Sequence, residues 1–176
     1  VILLILLSTM IIKKEDFKYS SRLLKTIIIF TSIVLVIEIL SWAFDGIDEL
    51  YALILNYFFN ALFFISGPVI VGLFASYVDY MLFKSKERIK KRMYYQYLTI
   101  FFGIMLFINF FTPIIFSVSA DNVYAREPWM NLAFVAVFAL IVYMMIVTAT
   151  MRKKVDLDIR ASIYVISVLP LIGGIL

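Results

Sequence analysis

Cysteine and histidine are both absent from this 176-residue sequence. Without them the chain offers no disulfide, no thiol nucleophile, no phosphorylatable histidine, and no zinc or haem-iron site built on those ligands. Charge is also scarce. Asp, Glu, Lys and Arg together make up 16% of the chain, against 64% hydrophobic residues, which lies well outside the mixture of a soluble domain. Nor is there a Gly-rich phosphate loop of the P-loop or dinucleotide type. Chemistry, if any, must use carboxylates, amides or hydroxyls. The formal charge of +4 implies no nucleic acid, because the basic residues fall in short linkers where membrane orientation and lipid headgroups account for them.

What fills the sequence is apolar run after apolar run. The longest, Tyr51 to Phe83, carries the single charge Asp79 and ends in Lys84, Lys86, Arg88, Lys90, Lys91 and Arg92. About 20 apolar residues span the hydrocarbon at 1.5 Å per residue, so this run crosses a bilayer with length to spare. Six such segments are read: 1–12, 26–44, 51–83, 93–118, 129–151 and 161–176. The first lacks the basic region of a signal peptide, and both it and the last read as truncated spans, so the chain is expected to belong to something longer. Uninterrupted apolar runs without strand alternation predict helices. The expected fold is an all-α, polytopic transmembrane helical bundle.

Orientation follows from the cations. The linkers after segments one, three and five hold five, six and four Lys or Arg, whereas the loops after two and four hold none and one. Cations flanking short loops stay cytoplasmic, which places the N-terminus outside.

Polar residues within or beside the spans are the candidates for function. Glu38, two-thirds through segment two, would cost about 2.5–3.5 kcal/mol at mid-membrane; it is expected to face the bundle interior, either protonated or paired, as a ligand contact or as a structural carboxyl. Asn56 and Asn60, four apart, share a helix face. Gly72, Ser76 and Asp79 form a second small, polar face, and for both faces close packing is the stronger reading. Gly67-Pro68 sits between them as a candidate hinge or a static bend. The loop SVSADNVYAREPW offers Asp121, Asn122, Tyr124 and Arg126; the guanidinium could clamp an anionic or zwitterionic ligand or pair internally with Asp121 or Glu127. The acidic turn with Asp45, Asp48 and Glu49 is a weak cation signal, lacking the longer calcium-loop spacing.

Three patches, SYVDYMLFKSKERIKKR (Ser76 to Arg92), DNVYAREP (Asp121 to Pro128) and PLIGGIL (Pro170 to Leu176), resemble the multi-span N-terminal region that precedes GGDEF domains in bacterial membrane-bound diguanylate cyclases. Glu127 stands where that pattern has Gly. The resemblance implies a seven-span sensory module in the bacterial plasma membrane, feeding a C-terminal cytoplasmic cyclase that makes cyclic di-GMP. No GGDEF-like sequence occurs here, so no catalysis is expected within the chain.

The expectation is therefore a membrane sensor for an unidentified small molecule, working as a homodimer, with no metal or cofactor. Sensing is assigned to Glu38, Asn56, Asn60, Asp121, Asn122, Tyr124 and Arg126, with Gly67 and Pro68 as the hinge. A small transporter, or its substrate-binding membrane subunit, is the alternative; a purely structural anchor needs no ligand at all.

Overall fold

A computed structural model describes residues 19–151, together with 157, 160, 161, 163 and 164. The expected first span lies outside the described residues. Of the expected sixth, Ala161, Ile163 and Tyr164 are described, and all three are helical.

The order of elements is α1 (Tyr19–Phe44), α2 (Leu50–Phe83), α3 (Lys86–Arg92), α4 (Tyr94–Phe111), β1 (Phe116–Val118), β2 (Tyr124–Arg126) and α5 (Trp129–Thr150). Among the described residues four helices are long and apolar enough to cross a membrane, α3 and α4 counting as one, which is the mark of a membrane protein. Their outward faces agree. Ile39, Phe107, Phe110 and Leu132 are all more than half exposed, an arrangement that lipid solvates and water does not.

The second segment was expected to start at Thr26, but α1 is already helical at Tyr19, so Arg22 and Lys25 belong to its first turns rather than to a linker. It ends at Asp45-Gly46, where Gly46 takes a φ of +76° that glycine adopts without Cβ strain. Helix α2 matches the expected third span to within one residue and runs without a break through Pro68. It is the central element, packing along α1, α4 and α5. Phe64 of α2, Phe102 of α4 and Phe134 of α5 meet as a trio, with ring centroids 5.0, 6.1 and 6.3 Å apart.

The small face expected at Gly72, Ser76 and Asp79 is buried, and a Cβ at Gly72 would overlap the backbone of Tyr95. Helices α2 and α4 therefore approach to a distance that only glycine permits. The basic run after α2 is a helix of its own. Lys84 takes a left-handed conformation with φ 53°, Ser85 caps α3 by accepting from the Arg88 amide at 3.2 Å, and Met93, at φ 48°, turns the chain into α4.

The fourth segment corrects the sequence reading most. Expected as one span from Met93 to Val118, it stops as a helix at Phe111. Pro113 has no amide to continue the ladder and holds the preceding residue out of the α region; Thr112 accordingly sits at φ −140°. The chain then forms a short antiparallel hairpin, pairing Phe116 with Arg126 and Val118 with Tyr124. The loop expected over Ser117 to Trp129, for which an interfacial hairpin is one of the two readings, is thus a hairpin that begins one residue earlier, at Phe116. Helix α5 ends at Thr150, one residue short of its expected limit.

Candidate functional site

The hairpin is tied to the turn after α1 through amides that the apolar helices would otherwise leave without partners. Asn56, fully buried on α2, donates through Nδ2 to Asp45 Oδ1 and to Asn122 Oδ1, each at 2.9 Å. Asn122, 1% exposed, donates to the carbonyls of Phe44 at 2.7 Å and Ile47 at 2.9 Å. Its own carbonyl accepts from Gly46 N at 2.8 Å. Asp45 Oδ1 accepts a further bond, from Tyr124 N at 2.8 Å. Asn60 reaches back one turn and donates to the Asn56 backbone carbonyl at 3.0 Å and its side-chain carbonyl at 2.6 Å. Asn122 makes this possible by adopting φ 57°, a left-handed conformation that Asn tolerates better than most residues.

Asn109, which sequence reasoning missed, anchors the other side of the hairpin. Its Oδ1 accepts from the amides of Ile114 at 2.9 Å, Ile115 at 2.7 Å and Phe116 at 3.2 Å, while Nδ2 donates to the Phe116 carbonyl at 3.0 Å. One side-chain amide thus satisfies four backbone groups of the turn and strand that follow α4, in a place where each unpaired buried group costs about 1–3 kcal/mol. The signal was present in the sequence: an amide four residues before a proline, inside an apolar run.

Beside this latch lies a cavity of about 440 Å³. Glu38, Ser41 and Trp42 line it from α1, Asp45 from the turn, and Asn60 and Phe63 from α2; Tyr124, Arg126 and Met130 close it from the hairpin and α5. Of the seven expected sensing residues, Glu38, Asn60, Tyr124 and Arg126 come together here. Asn56 and Asn122 form the adjoining latch. Asp121 is exposed on the hairpin turn and does not line the cavity.

The two internal partners considered for Arg126 are not used. Glu127 accepts instead from Ser117 Oγ at 2.9 Å, and among the described residues the one ion pair is elsewhere, between Arg88 and Asp79. Tyr124 donates its hydroxyl to Met130 Sδ at 3.7 Å. Burial pushes its phenol above the ordinary value of 10.0, an effect the neighbouring Arg126 guanidinium partly offsets. The acidic turn holds no metal cluster: among the described residues no three potential ligands converge, since Asp45 turns inward while Asp48 and Glu49 stay exposed.

A second polar cluster lies near the opposite end of α2. Arg88 Nε donates to both carboxylate oxygens of Asp79, at 3.0 and 3.1 Å, and Tyr94 Oη donates to Asp79 Oδ1 at 3.1 Å. The guanidinium also stacks on Phe83, 3.8 Å from the ring centroid. Asp79 is only 4% exposed, so its charge is held by a cation from outside the helix that carries it.

The geometry defines a helical bundle with a half-open, charged cavity at one end of its central helix and a locked ion pair near the other. No family model, curated protein or solved structure matches this chain.

Proposed function

We propose that this chain is the membrane-embedded sensory region of a bacterial signalling protein: the cavity beside the hairpin receives a signal molecule, and the bundle passes the change to a cytoplasmic catalytic domain. The observation that carries this reading is that α2 joins the two polar clusters. Its Asn56 and Asn60 form part of the latch and cavity, and its Asp79 holds the basic helix α3. At 34 residues it spans about 50 Å, enough to connect the two faces of a bilayer. A ligand that favours one arrangement of α1, α2 and the hairpin shifts the position of α2, and it acts only through a difference in affinity between two states.

The distribution of Lys and Arg supports six spans in this chain, an outer N-terminus and a cytoplasmic α3. The three sequence patches that resemble the region ahead of GGDEF domains support a diguanylate cyclase as the effector. Gly67 and Pro68, in the middle of α2, are where such a helix would flex, because proline removes one backbone hydrogen bond.

The test is made on the full reading frame. Cyclic di-GMP synthesis from GTP is measured for the intact protein and for a chimera whose bundle is replaced by an unrelated dimeric membrane anchor. Loss of regulation with retained synthesis supports the sensory role. A reading frame with no cyclase sequence after residue 176, or solute uptake by liposomes holding the purified protein, overturns it, the latter in favour of a transporter.

A further inference from the structure

The cavity lined by Glu38 and Arg126 carries charges of both signs that do not neutralise each other. Glu38 projects from α1 and Arg126 from β2, and among the described residues neither lies within ion-pair distance of an opposite charge. Asp45 adds a second carboxylate. Its Oδ1 is occupied, but by two neutral donors, the Asn56 amide and the Tyr124 backbone, so its charge has no cation against it. Asn60 spends its Nδ2 on Asn56, and among the described residues its own Oδ1 accepts nothing.

From these contacts, and resting on the sensory reading above, we infer that the site binds a small amphoteric molecule, an amine-bearing carboxylic acid of the amino-acid kind. Its ammonium is held by Glu38, Asp45 and the Asn60 carbonyl oxygen, and its carboxylate by Arg126.

Each pole follows from donor chemistry. Guanidinium presents a planar fork that matches a carboxylate bidentately, and among the described residues it is the one cation lining the cavity. The acceptors, two of them anionic, cluster on the α1 and α2 side. Trp42 also lines that side, and indole offers the best aromatic face for an ammonium group. Among the described lining residues two carboxylates stand against one guanidinium, an excess of acidic groups. A simple monoanion is therefore held by Arg126 alone and disfavoured against an amphoteric molecule, and a molecule with two amines and one carboxylate is complemented best. The volume of about 440 Å³ lies in the range of roughly 300–1,000 Å³ usual for small-molecule sites. The ligand bridges α1 to the hairpin, which is the pair of elements the latch already joins.

The experiment uses the full-length protein in lipid nanodiscs, titrated calorimetrically with L-lysine, n-butylamine and butyrate. L-Lysine is expected to bind about tenfold or more tightly than either single-pole compound, since each pole supplies a charge-assisted contact. E38Q is expected to weaken L-lysine and n-butylamine, and R126A to weaken L-lysine and butyrate. R126K keeps the charge but loses the fork, and falls between wild type and R126A. Arg126 is exposed, its place in the hairpin is held by backbone pairing with Phe116 that alanine keeps, and its side chain neighbours only the Tyr124 hydroxyl among the described residues, so R126A is expected to keep the fold, which its melting curve verifies. Butyrate binding as tightly as L-lysine, equal affinity of wild type, E38Q and R126A for L-lysine, or no heat from any probe overturns the inference. Its failure is separable from that of the sensory role. A regulated cyclase that ignores all three probes leaves the sensor standing, whereas L-lysine binding with uptake into liposomes leaves the ligand class standing and removes the sensor.

Discussion

Asn122 combines a left-handed backbone with a side chain that both donates and accepts, and few residues can do both. Alanine at this position strains the backbone, by about 1 kcal/mol or more, and strips partners from the Phe44 and Ile47 carbonyls and from Asn56. A buried group left without a partner costs about 1–3 kcal/mol, so Asn122→Ala is expected to lower stability by about 2–4 kcal/mol. Asn122→Gly removes the same hydrogen bonds but relieves the φ of 57°, and should recover about 1 kcal/mol of that loss. Thermal unfolding in detergent, followed by near-ultraviolet circular dichroism, compares the two. If the variants melt together, the backbone conformation contributes nothing and the latch is a matter of side-chain bonds alone.

At the scale of elements, α2 and α5 were legible in the sequence, the hairpin only as one reading of the outer loop and without its strands, and α3 not at all. Long apolar runs bounded by Gly46 on one side and by the basic cluster or Pro128 on the other leave little freedom in where a helix begins and ends. Within them the inward face is invisible, because lipid and core ask for the same apolar side chains and no amphipathic period separates Phe102, fully buried, from the outward Phe107. The first strand of the hairpin was hidden for a related reason. FTPIIFSV is as apolar as the span before it, and only Asn109 and Pro113 mark the change. Glu38 and Asn60 were found because an acidic or amide group within a span is itself a signal, and Tyr124 and Arg126 because they stand in the most polar outer loop, but Ser41, Trp42, Asp45, Phe63 and Met130 join the cavity only through tertiary packing. Counting cations by linker treated Arg88 like its neighbours, yet it alone reaches a buried carboxylate. Arg88→Ala should therefore destabilise the protein by about 1–3 kcal/mol by leaving the buried Asp79 carboxyl short of a donor, whereas Lys90→Ala, at an exposed position in the same helix, should change stability by less than about 0.5 kcal/mol. Chemical denaturation of both variants discriminates between them. Equal losses would mean that α3 is held by its apolar contact through Ile89 and not by the ion pair.

For the whole molecule the decisive property is which end lies in the cytoplasm, and the absence of cysteine makes this directly measurable. Any cysteine introduced is the only thiol within these 176 residues, so labelling of this region reports the introduced position alone. Lys90 on α3 and Asp121 on the hairpin turn are both exposed, both outside the expected spans, and at opposite ends of the bundle, since α2 separates the latch from the Arg88 ion pair. Fifteen of the 16 Lys and Arg residues fall on the α3 side of the expected topology. Retention of such residues in the cytoplasm during insertion leads to one outcome: in intact spheroplasts a membrane-impermeant maleimide labels Asp121→Cys and spares Lys90→Cys, which reacts only after permeabilisation. The cavity with Glu38 and Arg126 then faces the outside, where a small amphoteric molecule can reach it without crossing the bilayer, and α3 stands on the side where an intracellular enzyme can be driven. The reverse pattern would put the ligand site in the cytoplasm and disconnect it from any outer signal, whatever its affinity for amines and carboxylates.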